Sequence, residues 1–152
     1  MTLWFDDLQV GMRIVSPGAT LTEDAIIRFA LEWDFQPFHV DRKAAQESMF
    51  GGLIASGLHV LALSFRLYNE SSPMRKSALV GKGFDRMQFL KPARPGDRLH
   101  VVAEIVECRL SSRGDRGHVR QHMEVWNQDD LLVATFELTS IVARRPEGHP
   151  ET

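Results

Sequence analysis

Asp34 and His39 stand five positions apart in the run Asp-Phe-Gln-Pro-Phe-His, with Pro37 between them. A carboxylate and an imidazole are side chains that general acid–base catalysis uses, and as a pair they can grip one water and share its protons. Regular structure does not bring them together. At about 100° per residue, helix positions i and i+5 point roughly 140° apart, and in a strand they fall on opposite faces. Pro37 forbids a continuing helix and pushes Gln36 towards an extended backbone. A helix ending near Asp34, followed by a bent loop, would turn both side chains into one pocket. The bland reading of the same residues is a carboxylate that ends a helix and an ordinary loop histidine.

The elements that must position the pair follow from hydrophobic period and cap residues. Thr22 is an N-cap for a helix over "EDAIIRFALEW", with Glu23 and Asp24 in the first turn and Ile26, Ile27, Phe29, Ala30 and Trp33 on one face. "RKAAQES" is a second, short helix capped by Asp41. "GGLIASGLHVLALSFRLYNES", residues 51–71, is apolar on nearly every side, which predicts a helix enclosed by something else; His59, Ser64 and Arg66 argue against a membrane span. The back half supplies the enclosure. "ALVGKGFDRMQFL", "DRLHVVAEIVECRL", "GHVRQHMEVWN" and "LLVATFELTSIVA" read as strands separated by turns, with an early strand near "GMRIVSP". The last run places Leu132, Ala134, Phe136, Leu138 and Val142 on one face, a period of two. Helices followed by consecutive antiparallel strands make an α+β domain, a five- to six-stranded sheet curled around a long central helix.

Composition narrows the function classes. The 152 residues are 43% hydrophobic and 25% charged, ordinary for one globular domain. A net charge of −2 and the lack of a basic run exclude a nucleic-acid surface. One cysteine, Cys108, in a strand-like run, is a packing residue and fits a reducing compartment. The N-terminal run carries acids where a signal peptide has a basic and then an apolar stretch, so a cytoplasmic, membrane-free protein is expected. His118 and His122 share a strand face without a third ligand, so no metal site is expected. A single domain over residues 1–145 and a flexible tail over 146–152 complete the expected organisation, the polar, proline-bearing "RRPEGHPET" from Arg144 reading as a frayed end.

The stretch "WDFQPFHVDRKAAQESMFGGLIASGLHV" resembles the signature region of MaoC-like dehydratases, the (R)-specific enoyl-CoA hydratases of the hotdog-fold superfamily. Their pattern is Asp-x-Asn-Pro-x-His, then Phe-Gly-Gly-x-Ile-Ala-x-Gly opening a central helix. The later "DRMQFLKPARPGDRL" is also similar to the family's strand and proline-glycine turn. Gln36 replaces the family's asparagine, and Ser56 stands where histidine is frequent. The resemblance implies a hotdog fold and reversible hydration of a trans-2-enoyl-CoA to the (R)-3-hydroxyacyl-CoA, with no cofactor beyond the coenzyme A thioester of the substrate.

That chemistry needs a deprotonated water at C3, a proton for C2 and donors for the thioester enolate. By resemblance, Asp34 and His39 activate the water and return the proton; which of them carries each proton stays open. A helix N-terminus offers unpaired N–H groups and a positive dipole end, and Gly52, Ala55, Ser56 and Gly57 are small enough for a thioester to approach the backbone. By resemblance, the Gly57 N–H is the first candidate for the oxyanion donor. Gly57 also lies inside a helical pattern, where a close approach would explain it. Gln36 would orient the pair or touch substrate, and Phe38, Phe50 and Ile54 would line the acyl tunnel. Arg86, Lys91, Arg94 and Arg98 are candidates for the coenzyme A phosphates. His59, further along the helix, reads as a packed or dimer-facing residue.

Two other functions remain open: an acyl-CoA thioesterase of the same superfamily, and a non-catalytic acyl-CoA-binding protein. Such thioesterases place a carboxylate on the central helix, and residues 52–68 contain no Asp or Glu. An acyl carrier protein thioester could replace the coenzyme A ester. By resemblance to hotdog domains, which commonly join at an open sheet edge, a homodimer or higher homo-oligomer is expected, and one hotdog per chain rather than the family's fused pair favours short, medium or unusual acyl groups.

Overall fold

The structure, a computed structural model, describes residues 1–147. Helix α1 runs over Glu23–Trp33, and Thr22 caps it by accepting from the Ala25 N–H at 3.1 Å. The chain then turns. Asp34 leaves the helix, Gln36 is extended, and Pro37 opens the one-turn helix α2, Pro37–Val40. A bent loop was the expectation here; a turn of helix forms instead because proline is pre-set for a first helical position, where its missing N–H costs nothing. Helix α3, Arg42–Glu47, follows, with the Asp41 carboxylate accepting from the Ala44 N–H at 2.9 Å.

Residues 51–56 are not helical. The central helix α4 is Gly57–Ser71 and begins at the Ser56 cap. Gly57 is therefore the first helical residue rather than an interior one, and the helix-interior penalty of glycine does not apply to it.

The strands are β1 (Arg13–Val15), β2 (Ala19–Thr20), β3 (Ala78–Phe89), β4 (Arg98–Leu110), β5 (Arg116–Trp126) and β6 (Leu132–Ala143). They form one antiparallel sheet in the order β1-β4-β5-β6-β3, with β2 also paired to β4. This is the hotdog arrangement. The inner face buries Val101, Ala103 and Ile105 of β4, Val119 and Met123 of β5, and Phe136 and Leu138 of β6. Against it α4 lays Val60, Ser64, Leu67 and Tyr68, and burying each large apolar side chain contributes about 1.5–3 kcal/mol. One polar pair sits inside, where Tyr68 Oη donates to Gln121 Oε1 at 2.8 Å.

The helix is not enclosed on every side. Leu58, Ala62 and Arg66 are exposed, because the sheet curls around one flank of α4. His59 packs, stacked on Phe29 with ring centroids 4.6 Å apart.

Strand β3 is exposed on both faces except at Met87, and it pairs on one side only, with β6. Leu79, Val80, Phe84 and Phe89 are about half exposed along it. Arg144 does not fray. It donates to Asp6 from Nε at 2.7 Å, and Arg145 Nη2 meets Asp7 at 2.6 Å, which ties the end of the sheet to the N-terminal 3₁₀ turn Phe5–Asp7. Of the tail expected over 146–152, residues 148–152 lie outside the described residues.

Candidate active site

The turn at Pro37 brings the two spaced residues together. His39 Nε2 lies 3.3 Å from Asp34 Oδ2. His39 is buried, and its Nδ1 sits 2.7 Å from the Ile54 carbonyl. A carbonyl only accepts, so Nδ1 carries a proton and Nε2 is left facing the carboxylate. Phe38 packs edge-on against the imidazole, centroids 4.7 Å apart, and against Phe50 at 5.2 Å.

Asp34 is held from two further directions. Gln36 Nε2 donates to Oδ1 at 2.9 Å, and Ser56 Oγ donates to Oδ2 at 2.6 Å. These bonds hold the Asp34 carboxyl below the ordinary carboxylate range. The Ser56 bond is the largest cause and Gln36 the next; partial burial opposes them, and the neighbouring His39 adds a smaller lowering. The residues expected to serve the water are thus in contact.

A cleft of about 380 Å³ opens beside them. His39, Phe50, Ile54, Ala55 and Gly57 line one side, and Phe89, Lys91, Ala93 and Val133 the other. Gly57 and Phe89 meet in this lining, and a β-carbon at Gly57 would lie 2.2 Å from Phe89 Cζ. The first N–H groups of a helix have no intrahelical partner, so the start of α4 meets the cleft at the residue expected to donate to an oxyanion.

Several expected residues have other duties. The Ala55 N–H donates to the Ala93 carbonyl at 2.7 Å, so Ala55 offers the cleft its methyl group and no donor. The Ser56 hydroxyl is spent on Asp34 and on the Leu58 N–H, which donates to it at 3.1 Å. Gly52 lies against the Arg94 guanidinium, outside the cleft, and Phe38 stands behind His39 rather than in the wall. Among the cations, Lys91 lines the cleft and Arg94 donates to the Phe50 carbonyl. Arg86 faces Glu137 at 3.8 Å, and Arg98 lies over Gly18.

Phe89 and Val133 were not singled out from sequence. Both belong to apolar strand runs that look like core, and only the pairing of β3 with β6 brings their ends beside α4. The carbonyl that orients His39 was equally hidden, since a backbone oxygen leaves no sequence signal.

The burial of Cys108 raises its thiol pKa, with Glu107 adding to the rise, which fits a packing residue. No group of three or more metal-ligating side chains occurs among the described residues, and no helix among them is long and apolar enough to cross a membrane.

Comparison with known proteins adds a family. The family model for the MaoC-like domain matches residues 8–127. The chain is 31% identical to the Bacillus subtilis protein YdeM over 139 residues, covering 91% of this chain and 98% of that one. It is 26% identical to a 3-hydroxybutyryl-CoA dehydratase of Methylorubrum extorquens over 105 residues, 69% of this chain and 65% of the relative. Among solved structures, the MaoC-like dehydratase from Rhodospirillum rubrum superposes with a TM-score of 0.89 at 38% identity, covering 95% of this chain and 99% of that one.

Proposed function

The chain belongs to the MaoC-like domain family, and on that premise we propose that it is a hydro-lyase that adds water to a trans-2-enoyl thioester, or removes it from the (R)-3-hydroxyacyl thioester. The observation that carries this reading is the contact of His39 Nε2 with Asp34 Oδ2 at the edge of an apolar cleft. With the Nδ1 proton given to the Ile54 carbonyl, an Nε2 that carries no proton is an acceptor, as Oδ2 is. A single water has two protons and satisfies both, leaving its lone pairs free for C3 of the substrate.

The water oxygen bonds to C3 as its proton passes to one member of the pair. The C2–C3 π electrons move into the thioester as an enolate, whose oxygen takes the Gly57 N–H. The enolate then collapses as the held proton is delivered to C2. Acid–base help of this kind accelerates a reaction by about 10²–10⁴-fold, and one oxyanion donor by about 10²–10³-fold. The 3-hydroxybutyryl-CoA dehydratase relative supports a hydroxyacyl thioester as the substrate class. Lys91 at the cleft is suited to a phosphate of coenzyme A or of an acyl carrier protein's prosthetic group.

We further propose that β3 pairs with the β3 of a second copy. Its free backbone edge and half-exposed Leu79, Val80 and Phe84 support a homodimer.

The test is to follow crotonyl-CoA and a panel of longer enoyl-CoAs by loss of conjugated-thioester absorbance, with a thiol reagent in a parallel cuvette. Hydration without thiol release is expected. Thiol release without hydration would replace this reading by a thioesterase.

A further inference from the structure

Ser56 is fully buried, and its hydroxyl serves two elements at once. The Leu58 N–H, in the first turn of α4, donates to Oγ at 3.1 Å, and Oγ donates to Asp34 Oδ2 at 2.6 Å. Oδ2 is also the oxygen that faces His39 Nε2. Ser56 stands 22 positions after Asp34, so the bond joins the start of α4 to the end of α1 at the point where the water would sit.

Resting on the hydration reading above, we propose that Ser56 is a positioning residue: it locks the Asp34 carboxylate to the first turn of α4, so that the water's proton passes to His39 Nε2 while Asp34 stays ionised. The geometry has two consequences. The short bond occupies one lone pair of Oδ2, which fixes the direction of the other. It also makes Oδ2 a weaker base, because a carboxylate that already accepts hydrogen bonds gives up more on protonation. Of the titratable groups, His39 on α2 is the one that acts on Asp34; the other two contacts, Ser56 and Gln36, are neutral.

Ser56 also caps α4, so a variant could act through stability alone. Alanine at an N-cap weakens a helix, whereas glycine there costs only a small part of that loss. Both remove the hydroxyl. Ser56→Ala and Ser56→Gly should therefore differ in Tm but share one catalytic phenotype. We expect kcat for crotonyl-CoA to fall about tenfold with KM within about twofold, and the acid limb of the kcat profile to move to higher pH. In a carbon-detected titration of the side-chain carboxyls, Asp34 should titrate at higher pH in both variants.

An Asp34 titration unmoved in Ser56→Gly, or a loss of activity that follows Tm from one variant to the other, would overturn the proposal. If the wild type hydrates no enoyl thioester, the functional reading fails, and the titration alone still decides whether Ser56 sets the charge of Asp34.

Discussion

Three side chains contact the Asp34 carboxylate, and only His39 among them can change its charge. Gln36 holds Oδ1 from an exposed position, so Gln36→Ala should lower kcat only about threefold to tenfold and leave the fold intact. Steady-state kinetics beside a thermal melt will check it. The depressed pKa of Asp34 has a consequence for stability as well. Its unfolded value lies near 3.8, and the folded value is lower. The resulting stabilisation is fully present above the unfolded pKa and is lost as pH falls through the folded one. Urea midpoints measured from about pH 6 down to about pH 3 should therefore fall less steeply in Asp34→Asn than in the wild type. An equal slope would mean that the Ser56 and Gln36 bonds do not persist in solution.

At the scale of elements, Gly57 governs how the cleft meets α4. A β-carbon there would lie 2.2 Å from Phe89 Cζ, but Phe89 is 58% exposed and its ring can swing aside. Gly57→Ala should consequently keep its Tm within a few degrees while the displaced ring invades the cleft, raising KM for crotonyl-CoA about tenfold. A large fall in Tm with unchanged kinetics would contradict that account. The sequence carried much of this scale openly. Thr22 and Asp41 marked helix starts, and the alternation in β6 marked the inner face, because caps and periodicity are local physics. The start of α4 was misjudged. Leu53, Ile54 and Ala55 continue a helical-looking apolar run, yet the Ile54 N–H donates to the Phe38 carbonyl and the Ala55 N–H to the Ala93 carbonyl, contacts between segments that no local pattern encodes.

At the scale of the whole molecule, β3 is one edge of the sheet and is exposed along nearly its whole length. Its mixture of half-exposed apolar side chains and free backbone is an edge that natural proteins seldom leave open. Sedimentation should show a dimer, and Val80→Lys, which sets a charge on the exposed part of that edge, should shift it to monomer. A monomeric wild type would remove the dimer. The same scale explains why half of the cleft was illegible from sequence. His39, Phe50, Ile54, Ala55 and Gly57 follow one another closely in the chain, whereas Phe89 and Val133 reach the cleft only through strand pairing. The anchoring of Arg144 and Arg145 by Asp6 and Asp7 was hidden for the same reason, since it joins the two ends of the described chain.

The measurement that bears most directly on the central claim is a double-mutant cycle on hydration of crotonyl-CoA, using the wild type, Asp34→Asn, His39→Ala and the double variant. Two residues that hold one water act as a unit. Each single change should then cost about a hundredfold or more in kcat, and the double variant should lose little beyond either one. Losses that multiply, or a single variant that keeps wild-type kcat, would contradict a shared water and return Asp34 and His39 to separate structural roles.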